Sequence, residues 1–145
     1  MVSKKAKEAG MKKGKVVIFV LLMITGCAAQ RFAFIGAEAD PNTVGPGSRG
    51  IVRVKFVDPK GLVSKVTATV REAPELILYL NDRGMESDET AGDYIWTSGF
   101  EVPYDAPAGR YHLEIEIFDK DGGFLTTVEE GVEKVIGAVI PVVVE

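Results

Sequence analysis

Residues able to do chemistry gather in a few places along this 145-residue chain. Between Asn81 and Asp93 stand Asp82, Glu86, Asp88, Glu89 and Asp93, with Gly84 and Gly92 among them. Calcium takes six to eight oxygen ligands in flexible geometry, and an acidic loop that glycines let bend tightly can supply them. Asp82, Asp88 and Asp93 are the leading calcium candidates, and calcium is the one cofactor the sequence suggests. The order is not the D-x-[DN]-x-[DN]-G of an EF-hand, however, and loop aspartates more commonly accept backbone N–H groups in turns. A solvated, turn-capping loop is therefore the favoured expectation.

Other candidates have plainer readings. His112 is the only histidine, and it falls on the wet side of an alternating stretch with no titrating partner near it in sequence, so it reads as solvated. Glu114 and Glu116 share that side and imitate a catalytic carboxylate pair, but alternating strands routinely display such charges. There is no G-x-S-x-G elbow, no phosphate-cradling glycine loop and no histidine cluster for zinc in the sequence. No catalytic residue is expected and the chain is read as a non-enzyme. Tyr94, Trp96, Phe100 and Tyr104 form an aromatic-rich segment that could stack on sugar rings. Three of them, Tyr94, Trp96 and Phe100, share parity within one predicted strand, and an aromatic stripe at period two is more often core, with Trp96 its central filler.

Charge narrows the partners. Residues 1–26 carry six of the seventeen Lys and Arg and one of the twenty-one acids, which leaves the remainder with eleven bases against twenty acids and a net of −9. Such a domain is repelled by phosphate backbones and anionic headgroups, so nucleic acid is not an expected partner. The length suits one domain.

The amino-terminal segment is distinct. Lys12-Lys13-Gly14-Lys15 precede Val16 to Thr25, ten residues without a charge. That run fits the apolar core of a signal peptide and is about half of the roughly 20 residues a spanning helix needs. Next comes Ile24-Thr25-Gly26-Cys27, ending on the only cysteine in the chain. This tetrapeptide resembles the lipobox of bacterial lipoproteins, where an apolar residue sits three before the cysteine and small residues fill the space between. The resemblance implies cleavage between Gly26 and Cys27, a thioether from Cys27 to diacylglycerol, and palmitate-type acyl chains holding the protein to a membrane. An ordinary secretory signal, with Ala28-Ala29 as the small residues, is the alternative. Against it, a lone cysteine has no disulfide partner in an exported protein. Met11 opens a complete signal of its own and is a second candidate start. Ala28 stands where such lipoproteins often carry an inner-membrane retention aspartate, which favours the outer membrane. The expected organisation is a signal peptide over 1–26, a lipidated tether over 27–31 and one domain over 32–145.

That domain reads as all-β. Tyr111, Leu113, Ile115 and Ile117 alternate with His112, Glu114 and Glu116, the pattern of a strand with one dry and one wet face. Val52, Val54 and Phe56 alternate with Arg53 and Lys55, and Val66, Ala68 and Val70 with Lys65, Thr67 and Thr69. Asp58-Pro59-Lys60-Gly61 between these two has turn chemistry, which predicts a hairpin. Phe32 to Ala39, Leu76 to Leu80, Tyr94 to Val102, Phe124 to Val128 and Val135 to Val144 are further strands, the last bent or unpaired at Pro141. About seven or eight strands make two packed sheets.

Asp82-Arg83-Gly84, Asp88, Ala91-Gly92-Asp93-Tyr94, Trp96, Phe100-Glu101-Val102-Pro103, Pro107-Ala108-Gly109-Arg110-Tyr111 and Phe118-Asp119-Lys120-Asp121-Gly122 resemble a group of bacterial surface modules, the choice-of-anchor type domains. The similarity covers roughly Ile51 to Gly123, with Tyr94 where the group commonly has glycine and Trp96 where it has tyrosine. It implies an immunoglobulin-like β-sandwich. The expected role is a lipid-anchored, non-catalytic envelope module that binds a protein or polysaccharide; a calcium-stabilised or carbohydrate-binding module is the alternative.

Overall fold

Strands form here because β-branched and aromatic residues recur at period two between turn residues, so each strand can turn one apolar face inward. The computed structural model describes residues 31–145; Gly26, Cys27 and the rest of the expected signal peptide over 1–26 lie outside them. Arg31–Glu145 form one compact unit that contains every strand pairing of the described residues. Among these residues there is no helix.

Ten strands follow in order: β1 (Ala33–Asp40), β2 (Thr43–Val44), β3 (Arg49–Val57), β4 (Val63–Val70), β5 (Ala73–Leu80), β6 (Ile95–Glu101), β7 (Gly109–Asp119), β8 (Thr126–Glu129), β9 (Val132–Val135) and β10 (Gly137–Val144). One sheet has the order β1-β3-β6, the other β2-β10-β7-β4-β5, and β8 and β9 form a separate hairpin. The two larger sheets pack face to face as a β-sandwich, and the strand order is immunoglobulin-like, as expected. β2, two residues long, and β9 are additional to the predicted set.

The predicted β3–β4 hairpin is corrected by this topology. β3 pairs with β1 and β6, whereas β4 pairs with β5 and β7 in the opposite sheet. The Asp58–Gly61 turn therefore carries the chain across the sandwich. It is closed by Gly61 N–H to the Asp58 carbonyl at 3.1 Å. The Asp58 carboxylate then accepts the N–H groups of Leu62 and Val63 at 2.8 and 2.9 Å, launching β4 in its new direction. Turn chemistry was right and pairing partner wrong, because a tight turn sets local reversal and not which sheet receives the next strand.

Pro141 is corrected too, since β10 stays paired with β7 through it, with Pro141 opposite His112. The N–H of Val143 points the other way, to Asn42 O at 2.8 Å. Pro141 has the same parity, so its missing N–H falls on the edge just beyond the two residues of β2, outside the ladder that β2 forms with β10.

The core is the alternation read from the sequence, folded shut. Val52, Val54 and Phe56 of β3 meet Val66 and Ala68 of β4, Leu113, Ile115 and Ile117 of β7, and Ile140, Val142 and Val144 of β10. Phe56 is the largest fully buried side chain, and Phe32 and Trp96 pack on its ring at centroid distances of 5.4 and 5.8 Å. Trp96 is half-buried, so Phe56 takes the central place expected of Trp96.

Near the start of β7 the Tyr111 hydroxyl donates to the Pro107 carbonyl at 2.8 Å. This is the tyrosine corner of immunoglobulin-like sandwiches, and it explains the Pro107-Ala108-Gly109-Arg110-Tyr111 motif: the ring packs on the core and its hydroxyl pins the incoming loop. Tyr111→Phe keeps the ring and deletes the bond. The expected cost is about 1 kcal/mol in urea denaturation; no change in midpoint would show that the corner holds nothing.

Candidate functional site

Loop 81–94 joins β5 to β6, and the Asn81–Thr97 bridge fixes its base. It lies at the end of the sandwich where Phe32 enters, since Phe56 N–H donates to Tyr94 O and Ala33 stands opposite Val57. Within it the three sequence-predicted candidates come together: oxygens of Asp82, Asp88 and Asp93 all lie within 4.8 Å of one another. Glu86 and Glu89 are exposed and do not join them.

Local hydrogen bonds explain the convergence. Asp82 accepts Gly92 N–H at 2.9 Å and Tyr94 N–H at 3.3 Å, reaching across the loop. Asp88, only 4% exposed, accepts Gly84 N–H at 2.6 Å. Asp93 accepts Ile95 N–H at 2.9 Å and sets the start of β6. Gly84 and Gly92 take positive φ angles of 68° and 72°, as the tight bends require. Tyr94 also sits at φ 64°, a left-handed conformation that favours glycine. Burial lifts the Asp82 carboxyl above the usual aspartate range, and Asp93 adds to the rise, while N–H groups from Gly92, Tyr94 and Asp93 pull against it. The loop is closed by its own carboxylates, and those oxygens keep lone pairs able to ligate a cation.

The remaining candidates separate. Glu114 pairs with Arg71 at 2.6 Å and Glu116 accepts from Thr67 at 3.3 Å, so the apparent carboxylate pair is divided between two cross-strand partners. The four aromatic rings form no single platform. Trp96 and Phe100 pack against the core, and Tyr94 and Tyr104 flank β6 at its opposite ends.

His112 does have a titrating partner, contrary to the sequence reading. Its Nδ1 lies 2.6 Å from Glu72 Oε1, and its backbone N–H donates to Glu72 Oε2 at 2.9 Å. Forty residues separate the two, so only the β4–β5 turn folding against β7 unites them. Together with Arg71 N–H donating to His112 O at 2.9 Å, the pair clamps that turn.

Comparisons with known proteins add little. No family model matches the chain, and no curated protein matches it. Among solved structures, the crystal structure of a Niemann-Pick type C2 protein from Japanese carpenter ant is similar, with 14% identity and a TM-score of 0.46 over 82% of this chain and 96% of that one.

The clamp has a pH signature. The His112 side-chain hydrogen bond, aided by its backbone N–H, holds the Glu72 carboxyl down to about 2 from an ordinary 4.5. A carboxyl depressed in the folded state contributes stability that is fully present above pH 4.5 and is lost as pH falls toward 2. Melting temperature followed across that window is expected to fall less steeply in Glu72→Gln than in the parent; parallel curves would remove Glu72 from the acid response.

Proposed function

We propose that this chain is a lipid-anchored envelope protein, held to its membrane through Cys27 and presenting a non-catalytic immunoglobulin-like module to an envelope protein or polysaccharide. The observation that carries the reading is the juxtaposition of the Ile24-Thr25-Gly26-Cys27 motif with a domain whose first strand begins at Ala33. Between Cys27 and Phe32 stand only Ala28 to Arg31, and an extended chain spans at most ~3.6 Å per residue. The sandwich then rests close to the bilayer, with loop 81–94 and the Asp58–Leu62 crossing on the near side and the Pro103–Pro107 loop on the far side. An acidic domain is not drawn to anionic headgroups, so the acyl chains supply the attachment; two or three of them anchor stably where one does not. The outer membrane is the favoured location because Ala28 is not an aspartate. The non-catalytic part is supported by occupation: Glu72, His112, Glu114 and the three loop aspartates each already hold a turn or a strand.

In cells the expected result is that the wild-type chain partitions with membranes and yields an acylated Cys27 peptide by mass spectrometry, whereas Cys27→Ala moves to the soluble fraction. A wild-type chain with an unmodified cysteine in the soluble fraction would overturn the anchor.

A second reading, a calcium-stabilised module, is favoured by the convergence of Asp82, Asp88 and Asp93 and by the raised Asp82 carboxyl, which a cation would relieve. On this reading calcium raises the melting temperature of the wild-type protein, chelator reverses the gain, and Asp88→Asn removes it. A melting temperature indifferent to both leaves the loop as a turn closed by its own carboxylates.

A further inference from the structure

The two sheets join at one end and part at the other. β5 and β6 are the edge strands that face each other, bridged at Asn81–Thr97 at the end where Phe32 enters. Toward the opposite end they diverge and leave a cleft of about 490 Å³ between the sheets. That volume lies in the range of small-molecule sites, roughly 300–1,000 Å³. Its walls are apolar side chains from both sheets, among them Val70, Leu78, Phe100, Val102, Leu113 and Val142. Leu76, 47% exposed, stands at the mouth.

Side chains alone do not collapse this gap, because both lips are fixed from behind. One lip is the Pro103–Pro107 loop, with a proline at each end, an Ala106 N–H to Pro103 O bond of 3.1 Å, and the tyrosine corner holding the Pro107 carbonyl. The other is the β4–β5 turn, clamped to β7 through Glu72–His112 and Arg71–Glu114. Small residues, Ala73 and Ala106, line the lips, so little bulk crosses the opening.

Polar groups at the rim give the occupant a character. Glu72, Glu101 and Asp105 line the cleft, and no Lys, Arg or His does. Glu72 is engaged by His112 and Glu101 by Arg49, while Asp105 makes no ion pair among the described residues. A ligand anion at this rim would meet Asp105 with no cationic side chain among the lining residues; a neutral head can donate to Asp105, and a cationic head can pair with it.

We propose that this inter-sheet cleft binds one amphiphile, its apolar body between the sheets and an uncharged or cationic head at Asp105. The site is separate from loop 81–94, which lies at the other end of the sandwich.

Fragment 28–145 retains the whole compact unit and permits assay without detergent. Titration with N-phenyl-1-naphthylamine is expected to give a saturable fluorescence rise at one probe per domain. Dodecylamine and dodecanol displace it, and dodecanoate at pH 7.5 does so about tenfold less well. Ala106→Phe, which fills the mouth, abolishes the rise. Asp105→Lys, an exposed change that leaves the core untouched, reverses the preference toward dodecanoate. Circular dichroism and melting temperature confirm that each variant is folded. An absent or unsaturable rise with folded wild-type protein, undiminished binding in folded Ala106→Phe, or a head-group order indifferent to Asp105→Lys would each overturn the proposal.

Discussion

The dry seam between the two sheets is the constraint on which the rest of the molecule depends. Each of its main strands contributes alternate residues, Val52, Val54 and Phe56 from one sheet facing Val66, Ala68, Leu113, Ile115 and Ile117 from the other. Apolar burial is the dominant favourable term in folding, and neither sheet can hide its inner face without the other. The Asp58–Gly61 crossing follows from this need. It delivers β4 to the opposite sheet instead of back onto β3, so consecutive strands face each other across the seam. The polar sides of β3, β4 and β7 are thereby left to cross-strand pairs such as Arg71–Glu114 and Thr67–Glu116.

The seam is tight at one end and open at the other, and this asymmetry organises the surface. Near Phe32, the rings of Phe32, Phe56 and Trp96 fill the space between sheets, and loop 81–94 closes over it with its own carboxylates. At the far end the gap is spanned by a proline-bounded loop and a clamped turn, so the space is framed more than filled. Acidic residues serve at both ends, but differently. In loop 81–94 they bind the chain's own N–H groups, whereas at the cleft Glu72 and Glu101 are held by His112 and Arg49 and Asp105 faces solvent.

Legibility divided along the range of the interactions. Strand positions and inward parity of β3, β4 and β7 were readable because period two is a property of neighbouring residues. The three aspartates of the acidic loop were readable because turn-capping acts within about a dozen residues, and they do converge. The Glu72–His112 clamp was not, since forty residues separate its members and neither carries a local mark. β2 was too short to show a period, and the valines of β9 give no single apolar face.

By itself the sequence determined the all-β class, the inward side chains of β3, β4 and β7, the turn chemistry at Asp58 and Asp82, and the place of Cys27 directly after an apolar run. Only the tertiary structure decided which strands share a sheet, that Phe56 and not Trp96 sits at the centre, that Pro141 falls on an open edge, and that the sheets part to leave a cleft. The reason is physical: periodicity and turn propensity are fixed by a residue and its near neighbours, but pairing is chosen by whichever distant faces bury each other best. The cleft is a remainder of that choice, a space no local pattern encodes.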